Sequence, residues 1–220
     1  MKKILALVLS LALITVFFAG CKPSEDPKSS KTPTQSVQPV TPTPISTPKP
    51  PFCKDNVLAS ETAFGSVVRA MKELSVPYDP KDAMLVWKTI FFAASYMQTS
   101  KTMISAFPGD NITISESEIL FLYSLCFKNA TDIPEMPTGF TDIVFNKTDK
   151  TYTMAFLSPM KNKVEIGEIK ENADSCFFNL KLLSDDKAIL SNYIVTLVLN
   201  TNPKTIEWCP LVVAGVEAAK

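Results

Sequence analysis

The distribution of proline decides which part of this chain can form a folded domain. Nine of the 17 prolines lie between Lys22 and Pro51, many beside Thr or Ser, and this segment contains no aromatic residue. Such a segment cannot bury enough apolar surface to offset its conformational entropy, so we predict a disordered linker over residues 21–51. The packed core must then come from residues 52–220, for which we predict one globular domain.

The predicted linker also bears on the N-terminus, because a spacer is useful only if the chain before it is anchored. In polyproline II form, at about 3.1 Å per residue, it would hold the domain up to roughly 90 Å from its attachment point. Pro-rich segments also dock to Pro-motif readers, and Thr-rich segments carry Thr-linked glycans. We interpret this segment as a plain spacer, which predicts an anchor at the N-terminus.

The residues before the linker are organised like a secretory signal. Two lysines precede an uncharged apolar stretch from residue 4 to 18, and Ala19-Gly20 stands directly before Cys21. This pattern resembles the lipobox of a bacterial lipoprotein precursor, which ends in two small residues and the lipidated cysteine. Phe18 occupies the position where the family more often has an aliphatic residue.

The resemblance implies an address and an anchor. Residues 1–20 would be a cleaved signal peptide, and Cys21 would carry a diacylglyceryl thioether, often with a further acyl chain such as palmitate on its new amino group. Each CH₂ group buried in the bilayer contributes about 0.8 kcal/mol to binding. Two or three acyl chains would therefore anchor the protein stably to the outer face of a bacterial cell membrane. The alternatives are an ordinary cleaved signal peptide and an uncleaved membrane helix of minimal length.

The charged residues exclude several functions for the predicted domain. It carries 16 basic and 20 acidic residues, and Arg69 is the only arginine in the chain. Without clustered Lys and Arg, nucleic-acid binding is not expected. Histidine is absent, which excludes Ser-His and Cys-His pairs and mixed His/Cys zinc sites. With no Gly-rich phosphate loop either, we predict no cofactor and no metal.

The first half of the domain has helical periodicity. Apolar residues follow 3, 4, 7 spacing over residues 57–74, and a second, more apolar helix is predicted over residues 80–98 with Asp79 as its N-cap. Ser115 and Glu118 have the spacing of a capping box, which predicts a third helix to about residue 128.

After Pro137 the periodicity changes from 3.6 to 2, which predicts strands with short links between them. We therefore predict an α+β fold in which three N-terminal helices pack on one face of a curved, antiparallel, five- to six-stranded meander sheet. This element order is similar to the cone-shaped cystatin-like and nuclear-transport-factor-like folds. The apolar positions that define the predicted strands are Ile143, Phe145, Tyr152, Met154, Phe156, Val164, Ile166, Cys176, Phe178, Leu180, Leu182, Tyr193, Val195, Leu197, Leu199, Ile206 and Trp208.

Four cysteines follow the predicted lipidation site, and four cysteines allow three pairings. Cys176 shares a predicted strand face with core residues, whereas Cys209 alternates with Ile206 and Trp208 and is expected to be exposed. Cys53 lies at the mobile end of the linker and could reach an exposed Cys209. We expect four free thiols, and Cys53–Cys209 is the pair that we consider if a disulfide forms.

Two pairs of carboxylates are candidates for acid–base chemistry. Asp132 and Glu135 follow the third helix in a Pro-containing loop, and Asp185 and Asp186 lie in a predicted hairpin turn. Paired carboxylates serve in glycan hydrolysis, but aspartates in turns usually make local hydrogen bonds to the backbone. We therefore assign them no catalytic role.

Three aromatic residues of the predicted second helix, Trp87, Phe91 and Tyr96, are candidates to line a ligand cavity, although aromatic residues on an apolar helix usually belong to the core. The sequence thus favours a lipid-anchored, extracytoplasmic domain that binds an envelope protein or a small ligand without catalysis. The alternatives are a carboxylate-based envelope enzyme, similar to a glycan hydrolase, and a substrate-binding lipoprotein of a transporter.

Overall fold

The computed structural model describes residues 51–99, 111–155 and 162–219, without the side chains of residues 98 and 99. The predicted signal peptide, Cys21 and all but the last residue of the predicted linker lie outside these ranges. No helix among the described residues is both long enough and apolar enough to cross a membrane.

Helices occupy most of the first half of the described domain. The predicted break at Pro77 is present, but the helix before it is divided in two at Ser60. The helices are α1 (Lys54–Ala59), α2 (Glu61–Leu74), α3 (Ala83–Thr99) and α4 (Glu116–Cys126).

Helix α3 begins three residues later than predicted, because Asp82 caps it rather than Asp79. The Asp82 carboxylate accepts the backbone N–H groups of Met84 at 2.8 Å and Leu85 at 3.2 Å. The Asp79 carboxylate accepts the N–H of Lys81, two residues on, which closes a turn before the helix. Both aspartates have the local chemistry of an N-cap, and sequence alone did not distinguish them.

The predicted capping box of α4 is confirmed. The Ser115 hydroxyl accepts the Glu118 N–H at 3.3 Å, and the Glu118 carboxylate accepts the Ser115 N–H at 2.6 Å. Two of the unpaired N–H groups at this helix end are thereby satisfied.

The strands form two antiparallel sheets, so the α+β class is confirmed, while the prediction of a single meander is wrong. The small sheet has the order β1-β3-β2; the large one has the order β4-β6-β7-β8, with β5 also pairing with β6. The strands are β1 (Asn111–Ser115), β2 (Ile143–Asn146), β3 (Thr151–Ala155), β4 (Lys163–Ile166), β5 (Lys170–Glu171), β6 (Ser175–Leu183), β7 (Ile189–Leu199) and β8 (Leu211–Ala218).

The separate small sheet arises from β1, which lies between α3 and α4 and which the sequence did not reveal as a strand. Its isoleucines at 112 and 114 are buried, and Ile112 lies opposite the buried Met154 of β3. The predicted β2–β3 hairpin is present, with Phe145 opposite Tyr152. Strand β1 therefore pairs with the hairpin on the edge that a single meander would have joined to β4.

The last strand is also displaced from its predicted position. Ile206 and Trp208 lie in a turn and are 44% and 43% exposed, and β8 begins after them. The buried Asn200 side chain donates to the Thr205 hydroxyl at 3.0 Å and to the Cys209 carbonyl at 2.7 Å, which holds this turn closed. These side-chain hydrogen bonds offer the backbone an alternative to a strand ladder.

The core joins the helices to the large sheet. Strand β6 alternates as predicted, with Cys176, Phe178 and Leu180 fully or almost fully buried. Phe178 meets Phe64 of α2 edge to face, with ring centroids 5.4 Å apart. This contact connects the apolar stripe of a helix to the buried face of the sheet and contributes about 0.5–1.5 kcal/mol beyond area burial.

The break between α1 and α2 has a structural role. The fully buried Ser60 hydroxyl donates to the Asn56 carbonyl at 2.9 Å and accepts the Leu211 N–H at 3.0 Å. The first residue of β8 is thus attached to the junction of two helices that lie about 150 residues earlier in the chain. A buried N–H left unpaired would cost about 1–3 kcal/mol.

All four described cysteines, Cys53, Cys126, Cys176 and Cys209, are free thiols in the structure. The prediction that Cys209 is exposed is wrong, because Cys209 is fully buried. Cys53 is half-buried. The turn that replaces the predicted last strand directs Cys209 inward. The Cys53–Cys209 pair stays a prediction that has lost its supporting argument.

The burial of Cys209 gives a testable pH dependence. Desolvation raises the pKa of this thiol to about 11, against weaker opposing hydrogen bonds with Ser60 and the Ala63 N–H. A raised folded-state pKa favours the folded state below the unfolded pKa, and this contribution is lost as pH rises towards 11. From pH 8 to 11, the unfolding free energy of wild type should fall by about 2–3 kcal/mol more than that of Cys209→Ala.

Urea denaturation at several pH values measures this difference, and titrating groups that do not interact with Cys209 cancel between the two proteins. Cys126 does interact with it, since burial and then Cys209 raise the pKa of the Cys126 thiol. Cys53→Ala is the control, because Cys53 is only half-buried. Parallel pH profiles for wild type and Cys209→Ala would contradict a buried, neutral thiol at position 209.

Candidate functional site

The candidate site is an open cleft of about 790 Å³ between the N-terminus of α4, the loop after α4, and the β2–β3 hairpin. We call it the aromatic cleft. Its volume is within the range of small-molecule sites. It is lined by Trp87, Glu116, Ser117, Leu120, Thr131, Asp132, Ile133, Pro134, Glu135, Met136, Phe145, Lys147 and Tyr152.

Three aromatic rings run across this cleft. The Tyr152 ring lies 5.4 Å from that of Trp87 and 4.8 Å from that of Phe145, measured between centroids. Trp87 is almost fully buried, Tyr152 is half-buried, and Phe145 is 39% exposed. The rings therefore pass from core to solvent, and the exposed end offers an aromatic surface to a ligand.

Trp87 also fixes the loop that forms the opposite wall. Its indole N–H donates to the Pro134 carbonyl at 2.9 Å, midway between Asp132 and Glu135. Helix α3, the most buried of the described helices, thereby positions the exposed carboxylates of Asp132 and Glu135. A Trp side chain suits this position because its body packs in the core while its single donor pairs with a loop carbonyl.

The third carboxylate of the cleft comes from the first turn of α4. Glu116 follows the Ser115 cap, where a negative charge is stabilised by the helix dipole. Burial, with a smaller contribution from Glu116, raises the pKa of the Tyr152 hydroxyl. Burial and then Asp132 likewise raise the pKa of Tyr123, on the helix beside the loop.

The charges of the cleft are unbalanced. Glu116, Asp132 and Glu135 stand against Lys147 alone, and all four side chains are exposed. Within residues 51–99, 111–155 and 162–219, the ion pairs join other groups: Lys88 to Glu73 and Asp142, and Lys181 to Glu165. The cleft thus presents three carboxylates that no basic side chain of the described residues neutralises at contact distance.

The three carboxylates of the cleft do not form a metal-ligand group in the described residues. The described part of the chain contains no group of three or more Cys, Asp or Glu residues that could hold a metal ion. The three carboxylates of the cleft are therefore spread along its walls instead of converging on one point.

The structure brings together some of the residues that the sequence singled out and separates others. Trp87, Asp132 and Glu135 line the same cleft. Asp185 and Asp186 lie in an exposed turn outside it, where Ser184 donates to the Asp186 carboxylate. Sequence analysis missed Glu116, Phe145, Lys147 and Tyr152 as site residues, although the predicted hairpin already placed Phe145 opposite Tyr152.

Of the other two aromatic candidates, Phe91 belongs to the core and Tyr96 is half-buried in a polar network. Phe91 is 4% exposed, and its ring packs 5.8 Å from that of Phe92, between centroids. The Tyr96 hydroxyl accepts from Arg69 and donates to Glu61 at 3.3 Å. Neither residue lines the aromatic cleft.

Arg69 is the centre of a buried polar network. Its guanidinium donates to the Gly65 carbonyl at 2.9 Å, to the Tyr96 hydroxyl and to the Asn162 carbonyl. Desolvation lowers the pKa of the guanidinium, and Tyr96 and Glu61 oppose this shift. We assign the network a structural role, since it joins α2, α3 and the residue before β4.

A second exposed feature is apolar. Trp208 meets Phe121 of α4 edge to face, with centroids 6.2 Å apart, and Ile206 is exposed beside it in the chain. Leu120, the neighbour of Phe121, is 37% exposed and belongs to the aromatic cleft. Exposed apolar residues of this kind are found at partner-binding surfaces.

No protein family, curated protein or solved structure matches this chain. Its function must therefore be argued from the cleft and from the sequence of its N-terminus.

Proposed function

We propose that this chain is a bacterial envelope lipoprotein, anchored to the outer face of the cell membrane by lipid on Cys21, whose folded domain binds a ligand without catalysis. The lipobox pattern at residues 18–21 supports the anchor, and the Pro-rich segment supports a tethered domain. The observation that supports ligand binding is the aromatic cleft, which combines a suitable volume, exposed aromatic surface and uncompensated charge.

The arrangement of the helices is part of this proposal. Strands β6 and β7 each bury alternate residues, and Phe178 of β6 contacts Phe64 of α2. These features support helices that close one face of a curved sheet, in the manner of the cone-shaped folds. The cleft would then lie to one side, at the small sheet and the loop after α4.

The alternative function is a carboxylate-based enzyme, and the three acids of the cleft are the observation that favours it. A carboxylic acid that donates a proton near neutral pH usually lies in an apolar, desolvated pocket. Glu116, Asp132 and Glu135 are all exposed, so this environment is missing around each of them. Binding therefore fits the geometry better than acid catalysis.

Phe145 provides the test of the cleft as a binding site. A library of soluble small molecules is screened against the full-length protein for ligands that raise its unfolding temperature. At a ligand concentration of about 100 times Kd, wild type should gain about 2.7 kcal/mol of stability. Phe145→Ala removes an exposed ring from the cleft and should lower this gain by about 0.5–1 kcal/mol for cleft ligands, which corresponds to binding that is about two- to fivefold weaker.

Val144→Ala is the matched control, because Val144 precedes Phe145 on β2, is 62% exposed and does not line the cleft. Ligands whose stabilising effect is unchanged in Phe145→Ala, or is reduced equally in both variants, would contradict a binding cleft. Conversion of a ligand to product, abolished by Asp132→Asn, Glu135→Gln or Glu116→Gln, would support the enzyme instead.

A further inference from the structure

The chemistry of the aromatic cleft restricts the kind of ligand it can hold, if the proposed binding function is correct. Its walls present two complementary features for a cation: the accessible rings of Phe145 and Tyr152, and three exposed carboxylates. An ammonium group is attracted both to an aromatic face and to a carboxylate. An anionic ligand would meet one lysine and three like charges.

The spacing of the carboxylates distinguishes between kinds of cation. Glu116 lies at the start of α4, whereas Asp132 and Glu135 lie on the loop held by Trp87. Because they do not converge into a metal site, a single inorganic ion would leave part of this charge unpaired. A flexible chain with several separated positive charges can pair with each carboxylate in turn.

The surface between the charges matches the rest of such a ligand. Leu120, Ile133, Met136 and the aromatic rings supply apolar surface along the cleft. Methylene groups between the ammonium groups would lie against these side chains and contribute hydrophobic contact. A compact sugar or a peptide anion offers no comparable alternation of charge and apolar stem.

We propose that the aromatic cleft binds a linear aliphatic polyamine, with its ammonium groups paired to Glu116, Asp132 and Glu135 and its methylene groups against the aromatic wall. Lys147, at the hairpin turn, opposes this binding and limits its affinity. The volume of about 790 Å³ accommodates a chain of this size.

The test is a calorimetric titration of the full-length protein, in non-ionic detergent at low ionic strength, with spermidine as the probe. Tetraethylene glycol, a neutral chain of similar length, serves as the comparison ligand. Spermidine should bind at least about tenfold more tightly than the glycol, and added salt should weaken it, because exposed charge pairs are screened. Spermidine that binds no better than the glycol would overturn the proposal.

Charge variants test the assignment to the cleft. The triple variant Glu116→Gln, Asp132→Asn, Glu135→Gln should weaken spermidine binding by about tenfold or more, since each exposed pair contributes a factor of roughly two to five. A matched triple variant changes the net charge equally at exposed acids outside the cleft, and its affinity should stay within about twofold of wild type. The matched changes are Glu171→Gln, Asp185→Asn and Glu207→Gln.

Two single variants have effects of opposite sign. Lys147→Gln should tighten spermidine binding by about twofold or more, and Phe145→Ala should weaken it by about two- to fivefold. Equal effects of the two triple variants, or weaker binding by Lys147→Gln, would overturn the proposal by showing that the cleft does not select positive charge.

Trilysine is the second probe, because lysine side chains of a polypeptide carry the same ammonium group. Trilysine that binds more than about tenfold tighter than spermidine would overturn a free polyamine as the ligand and indicate a cationic polypeptide. Failure of spermidine together with library ligands that stabilise Phe145→Ala less than wild type would refute the polyamine alone. Failure of both would refute the binding function itself.

Discussion

Replacing Cys21 with alanine is expected to abolish lipid attachment of the protein expressed in a bacterium. Wild type should partition into the detergent phase and yield an N-terminal peptide that begins with a blocked, lipid-bearing Cys21. The variant has no thiol to carry the diacylglyceryl group, so its N-terminal peptide should carry no lipid. Since one acyl chain holds a protein only marginally and two or three hold it stably, loss of the attachment site should remove the anchor completely.

Mass spectrometry of the N-terminal peptide is the deciding measurement. Residues 4–20 are apolar and could retain an uncleaved precursor in the membrane, so fractionation alone would not separate the two states. Cys53→Ala is the matched control and should retain the lipid. A wild-type chain with an unmodified Cys21, or with a mature start at another residue, would contradict the lipoprotein proposal.

The second large effect is expected in the core, where Phe178→Ala should lower the unfolding free energy by about 3–5 kcal/mol. Phe178 is 1% exposed and packs edge to face on Phe64, which is also fully buried. Its removal leaves a cavity between α2 and β6 that the surrounding helices and strands cannot fill without moving. Urea denaturation followed by circular dichroism measures the change.

Phe177→Ala is the control for this prediction, because Phe177 is the preceding residue on β6 and points to the other, half-buried face. Phe177→Ala should lower the unfolding free energy by about 1 kcal/mol, since the Phe177 ring buries less apolar surface than the Phe178 ring. A larger cost for Phe177→Ala than for Phe178→Ala would contradict the register of β6, because a shift by one residue exchanges the faces of a strand.

Local signals in the sequence were reliable where neighbouring residues satisfy one another. The capping box at Ser115 and Glu118 involves residues three apart, and the structure confirms it. The β2–β3 hairpin and the buried alternation of β6 likewise follow from short-range pattern. The cap of α3 was misplaced by three residues because Asp79 and Asp82 have equal local claims.

Long-range partners decided the elements that the sequence did not reveal. Strand β1 is five residues long and forms a sheet only by pairing with β3, where Thr113 lies opposite Thr153. The position of β8 depends on the turn that Asn200 holds closed and on the Ser60 hydroxyl. The hydrogen bond from the Leu211 N–H to Ser60 joins residues about 150 positions apart, and no local periodicity encodes it.

The candidate site was partly visible in the same way. Trp87, Asp132 and Glu135 were candidate site residues because of their side-chain chemistry. Their spacing did not indicate that Trp87 would hold the acidic loop through a hydrogen bond to the Pro134 carbonyl. Phe145 and Tyr152 were predicted as hairpin neighbours, and only the packing of that hairpin against α3 made them a wall of the cleft.

By itself the sequence determined the α+β class, and it is the basis of the proposed address and of the proposed division into a tether and a domain. Those properties depend on composition and on interactions between near neighbours, which any stretch of chain carries with it. The tertiary structure alone decided the two-sheet topology, the burial of Cys209 and the meeting of three carboxylates with three aromatic rings. Each of these depends on which distant segments pack together, because burial and charge balance are properties of the whole packed domain.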